Sequence, residues 1–250
     1  MSVAPVYYSR TALWSVSGLQ LDKGLSFSIS AGTCDGLTEV GTPGPTLRQF
    51  SCRPTSLGAL AAEVRDAGGQ GIASLRVDVP VPVVRLTLSQ GTVDLELDPV
   101  AAPVTVSNFL GYVASGFYDN TLMHRVIPGF VIQGGGYRPG SPDPQAKSPT
   151  QAPIVLESQR GLSNVRGTLS MARTSDPASA TSQFFVNLVD NRFLDYQSDA
   201  APGYAVFGRV IAGLDVIDSI SAVMTHNVPS LGLANVPITD VVVSSARQLR

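Results

Sequence analysis

The sequence predicts a mainly β chain in two parts: a small antiparallel sandwich, then a larger sheet accompanied by two helices. Three observations carry this. Up to Val79, short apolar segments recur between clusters of Gly, Ser, Thr and Asp. Pro80-Val81-Pro82 then interrupts the chain with residues of fixed φ that cannot donate to a ladder, which makes a stiff junction. Beyond it, alternating strand patterns are broken by two stretches of helical period, at 103–116 and 214–222.

In the first part, residues 1–79, the segments 12–16, 25–29, 46–50 and 72–77 read as strands of a sandwich. Residues 57–64 fit either one or two helical turns or a strand with a turn. Trp14, Tyr7 and Tyr8 mark either a ligand surface or the core that so small a unit needs. Cys34 and Cys52 lack the Cys-x-x-Cys or Cys/His partners of zinc and thioredoxin chemistry. They are expected to form a structural disulfide, worth about 3 kcal/mol in the chain-entropy picture, with two separate buried thiols as the alternative.

In the second part, residues 83–250, the alternation over 83–88 and 93–97 with Gln90-Gly91 between them predicts a hairpin. Pro103 suits the first position of a helix whose Val106, Phe109, Leu110 and Val113 fall on one face, and Gly116 suits its end. A second helix is predicted over 214–222. Ile238 and Val241-Val242-Val243 predict a closing strand, and the Pro-rich run 137–153 an exposed loop. On pattern alone, several α+β folds accommodate these elements.

Composition excludes some partners. A net charge of −2 and only 14% charged residues offer no basic patch to neutralise phosphates, so nucleic acid is not an expected partner. No apolar run approaches the length of about 20 residues that spans a bilayer. Met1-Ser2 leads straight into Ala4-Pro5-Val6 without a basic-then-apolar signal, as though an export signal had been cut away. A periplasmic or secreted location is therefore expected, the cytoplasm being the alternative.

The richest stretch is His124-Arg125-Val126-Ile127-Pro128-Gly129-Phe130-Val131-Ile132-Gln133-Gly134-Gly135. It reads as a strand kinked by Pro-Gly and ending in glycines, with a guanidinium, an aromatic ring and a carboxamide close together. Strict alternation places Phe130 beside Ile132 and sends Val131 and Gln133 to the other face, unless the kink intervenes. His124 is then expected to point away from Arg125 and to be structural. The triple glycine lacks the Lys and Ser/Thr of a phosphate loop, two histidines are too few for a zinc site, and no Gly-x-Ser-x-Gly elbow supports a hydrolase.

This motif resembles the signature of cyclophilin-type peptidyl-prolyl isomerases in their bacterial form. So do Gly167-Thr168-Leu169-Ser170-Met171-Ala172-Arg173-Thr174, Ser182-Gln183-Phe184-Phe185-Val186-Asn187, Phe193-Leu194-Asp195 and Tyr204-Ala205-Val206-Phe207-Gly208-Arg209-Val210, in the family's order. The resemblance covers 83–246. It implies an eight-stranded antiparallel barrel capped by two helices, no cofactor or metal, and proline-containing polypeptides as clients. Carried over by position, Arg125 is the catalytic guanidinium and Phe130, Val131, Phe185 and Leu194 line the proline pocket. Gln133 bonds substrate backbone, Gln183 holds Arg125 and Gln133, and Ala172, Arg173 and Thr174 flank the residue before proline. Arg173 stands where eukaryotic members carry asparagine. Phe193 replaces a tryptophan that helps hold cyclosporin, so weak cyclosporin binding is expected. Tyr204 falls near a pocket histidine, and Val131 replaces a common methionine. Residues 13–21 resemble the opening of IPT/TIG-type immunoglobulin-like domains. A monomeric isomerase is the first reading; a module that binds proline segments without turnover is the second.

Overall fold

The computed structural model describes all residues of the chain, which form two compact units, Met1–Pro82 and Val83–Leu249. No helix is long and apolar enough to cross a membrane.

The first unit holds two antiparallel sheets. One runs Ser2–Val3, Ala12–Ser17, Leu47–Pro54, Cys34–Val40; the other runs Ser26–Ala31, Gly58–Arg65, Gly71–Val79. Residues 57–64, ambiguous by pattern, belong to a strand, because Leu60, Ala62 and Val64 are fully buried at every second position. The two sheets meet through rings: Phe27 stacks on Phe50 with centroids 4.4 Å apart, and Trp14 lies 5.8 Å from Phe27. Trp14 and Tyr8 are core residues. Cys34 and Cys52 form a disulfide, with Cα atoms 5.5 Å apart, that ties an edge strand to its neighbour.

The second unit is one antiparallel sheet of nine hydrogen-bonded strands. Its order is Thr121–Leu122, Val242–Gln248, Val83–Leu88, Gly91–Leu97, Val206–Ala212, Thr168–Met171, Phe184–Asn187, Val131–Gly134, Arg125–Ile127. The two edge strands are successive pieces of one run, parted by Met123 and His124, so the sheet curls until its ends meet. Counted as one, these pieces give the eight strands expected. Two helices accompany it, α1 (Pro103–Ala114) and α2 (Leu214–Ser221). Helix α1 starts with Pro103, buries Val106, Phe109, Leu110 and Val113, and is followed by Gly116 at φ +68°.

Two expectations need correction. The closing strand begins at Val242, and Ile238 lies outside it, largely exposed. The preceding residues instead form a hairpin of Thr225–Val228 with Leu233–Pro237, which claims Val228 and Val236 for its own buried face. The run 137–153 is not wholly irregular: Tyr137–Arg138 pairs with Gln145–Ala146.

Candidate active site

A cleft of about 240 Å³ opens on the outer face of the barrel. Its floor follows from strand register. Arg125 pairs with Gln133, and Gln133 pairs with Phe185, so the three side chains form a row across adjacent strands. Val131 joins Gln133 two residues away on the same face. The alternate residues Val126, Ile132 and Val186 are buried in the barrel interior.

Phe130 departs from simple alternation. The strand starts at Val131, and Phe130 belongs to the turn, where its N–H donates to Ile127 (3.0 Å) and Gly129 takes φ +69°. Freed from the pleat, the Phe130 ring lines the cleft with Val131 and Gln133, while Ile132 goes to the core. The Pro-Gly kink thus overrides the pairing of Phe130 with Ile132.

The polar rim is held by a short chain of hydrogen bonds. Arg125 Nη1 donates to Gln133 Oε1 at 3.3 Å, and Gln133 Nε2 donates to Gln183 Oε1 at 2.8 Å. Gln183 stands behind Gln133 and does not itself line the cleft. Gly136 makes room for it, since a Cβ there would lie 2.5 Å from the Gln183 amide. The glycine run therefore serves close packing. The single hydrogen bond that Arg125 donates leaves most of its N–H groups available in a half-buried setting.

The opposite wall combines Ala172, Arg173, Leu194 and Tyr204. Tyr204 meets Phe185 edge-on at 5.5 Å, and the Arg173 guanidinium lies over the Tyr204 ring at 4.7 Å. Phe193 is outside the cleft, 64% exposed, with its ring stacked on Phe130 at 5.9 Å. Thr174 is also outside: exposed, it bonds to Ser179 and does not line the cleft. His124 turns away from the cleft, buried with its ring 4.7 Å from Tyr137. Burial pushes its imidazole pKa down to about 4.

Sequence reasoning missed the support beneath the floor. Asn191 Nδ2 donates to the Phe130 carbonyl (3.0 Å) and to Asn187 Oδ1 (2.9 Å). Asn187 and Ser170 in turn donate to Asn164 Oδ1. Burial works to raise the Asp195 carboxyl, yet hydrogen bonds from Ser163 and Asn164 outweigh it and hold the group below the usual carboxylate range. Asn164, Ser170, Asn187 and Asn191 are all buried, and their mutual satisfaction makes that tolerable.

Residues 83–248 match the family described as cyclophilin type peptidyl-prolyl cis-trans isomerase/CLD, about two thirds of the chain. The chain belongs to this family. It is 52% identical over 168 residues to peptidyl-prolyl cis-trans isomerase A of Dickeya dadantii, covering 67% of this chain and 84% of the relative. It is 49% identical over 146 residues to peptidyl-prolyl cis-trans isomerase B of Escherichia coli, covering 58% and 85%. Among solved structures, a Cryptosporidium parvum cyclophilin crystallised in the presence of the dipeptide Ala-Pro superimposes with a TM-score of 0.54 at 28% identity, over 66% of this chain and 96% of that one. The activity of the cyclophilin unit is cis–trans isomerisation of peptidyl-prolyl bonds, and its substrates are proline-containing peptides.

Proposed function

We propose that the row Arg125–Gln133–Phe185 performs this isomerisation without covalent chemistry. An X-Pro amide rotates through a twisted state about 20 kcal/mol above the planar ones, because planarity comes from donation of the nitrogen lone pair into the carbonyl. In the twisted state that lone pair is localised and accepts a hydrogen bond. A catalyst needs only to bind this form more tightly than either planar isomer. Phe130, Val131, Phe185 and Leu194 offer the proline ring an apolar slot. Gln133 anchors substrate backbone, and Arg125 presents a permanently charged, planar donor set to the prolyl nitrogen. The observation that carries this reading is that Arg125 shares one open cleft with the rings of Phe130 and Phe185.

Around this core stand further elements of the same proposal. Residues 1–79 form an immunoglobulin-like domain, supported by the two ring-packed sheets. The protein works outside the cytoplasm, in the periplasm or as a secreted protein, as a Cys34–Cys52 bond suggests. It acts as a monomer. Cyclosporin binds weakly, because Phe193 has no ring N–H to donate.

Exchange spectroscopy on an Ala-Pro peptide tests the mechanism, comparing wild type with Arg125→Ala. The variant is expected to lose about 100- to 1,000-fold in kcat/KM. Equal catalysed rates in the two proteins would remove Arg125 from the mechanism, and a wild-type rate no faster than uncatalysed exchange would favour a module that holds proline segments without turning them over.

A further inference from the structure

Two cations line the cleft, Arg125 and Arg173, and no carboxylate lines it. Seven arginines elsewhere, among them Arg48, Arg85 and Arg247, each have an acidic partner within 4.0 Å, while neither cleft arginine does. The chain as a whole is slightly acidic, so acidic partners are not scarce.

Arg173 is nevertheless fixed in place. Its Nε and Nη2 donate to the Gly203 carbonyl at 3.0 and 2.9 Å, and its Nη1 donates to the Thr174 carbonyl at 2.8 Å. The Tyr204 ring supports the flat face of the guanidinium at 4.7 Å. These three bonds use three of its five N–H groups and neutralise none of its charge. Side-chain freedom is already lost, so an incoming anion meets a preorganised donor and avoids that entropic cost. The group is half-buried, which strengthens a charged contact relative to one in open water.

We infer that the cleft selects proline segments carrying a carboxylate one or two residues from the proline, and that Arg173 makes the selection. The inference rests on the isomerase reading above and deepens it. Arg125 is committed to the prolyl nitrogen; Arg173, across the slot on the Tyr204 wall, is the cation left to read the flanking residue.

The test uses the full chain and a set of proline peptides with Glu or Gln at each of the two positions on either side of the proline. Rates come from exchange spectroscopy at low salt. At one position or more, wild type is expected to prefer Glu over Gln by about 3- to 10-fold in kcat/KM, the range of a partly desolvated ion pair. In Arg173→Gln that ratio should fall to about one. Because the ratio is read within one protein, a general loss of activity in the variant does not disturb it. Should the variant fail to fold, salt serves instead: the wild-type preference must shrink as ionic strength rises, and a ratio unmoved by salt overturns the inference. A ratio near one at all four positions in wild type, or one that survives Arg173→Gln, also overturns it. If wild type turns over neither peptide, the isomerase reading fails first and this inference with it.

Discussion

Phe184 and Phe185 are consecutive residues of one strand, yet they belong to two different aromatic groups. Phe184 points into the barrel, where it meets Phe109 of α1 edge-on at 5.4 Å and Tyr118 at 5.5 Å; Phe207 completes the group. All four are essentially inaccessible. Phe185 points outward, where it meets Tyr204 and stands in a row with Gln133 and Arg125. The same residue type is core in one case and cleft wall in the other. The pleat sends neighbours to opposite faces, and what covers each face decides its role. Inside, α1 supplies apolar cover. Outside, polar groups and cations border the ring and leave room for a guest.

This contrast is broken or upheld by truncating each ring in turn. Phe184→Ala is expected to cost about 3–5 kcal/mol in urea unfolding, because the closed core cannot refill the void. Phe185→Ala should cost roughly half as much, since water enters the widened cleft, while kcat/KM for an Ala-Pro peptide falls at least about tenfold. Equal losses of stability would mean that the outer face is as tightly packed as the inner one.

His124 sharpens the comparison through pH. It precedes Arg125 but lies buried, with Nδ1 lacking a hydrogen-bond partner. Burial lowers its pKa from the ordinary 6.5 to about 4. Between those values the unfolded chain binds a proton that the native state refuses, so stability falls as pH falls through this window. The full difference amounts to about 3 kcal/mol by pH 4. Urea midpoints measured from pH 7 to pH 4.5 should decline in wild type and decline less in His124→Gln. A parallel decline in both proteins would assign the effect to other groups.

What the sequence made legible follows the range of the interactions involved. The Val83–Leu88 and Gly91–Leu97 hairpin, α1 and α2 are written in local periodicity, and all three are where the pattern puts them. The cleft side chains were legible through motif order, although strict alternation misassigned Phe130 because Pro128-Gly129 ends the pleat before it. Thr174 shows the limit of positional carry-over: it bonds to Ser179 and stays out of the cleft. The hairpin from Thr225 to Pro237 was not foreseen, since His226, Asn227 and Pro229 interrupt any alternating pattern. Nor was the network of Asn164, Asn187 and Asn191. Asparagine favours turns and surfaces in isolation, and it is buried here only because residues distant in sequence satisfy it.

Glu157 follows the same logic at a smaller scale. Helix α1 has Ala102 at its N-cap, which offers no side-chain acceptor, and no acidic residue in its first turn. Its first free N–H groups are met from a distant loop: Glu157 Oε1 accepts from the Val104 N–H (3.2 Å), and Oε2 accepts from the Thr105 N–H (2.8 Å) and hydroxyl (2.7 Å). A carboxylate here also faces the positive end of the helix dipole. Glu157→Gln keeps the shape and one acceptor but loses the charge, and it should cost about 1–2 kcal/mol. The cost should appear as a lower thermal midpoint and faster amide exchange at Val104 and Thr105. Since α1 serves the closed core and Glu157 takes no part in the cleft, kcat/KM should stay at its wild-type value. A fall in kcat/KM with an unchanged midpoint would show that the two faces of the barrel are coupled through α1, against the separation that Phe184 and Phe185 display.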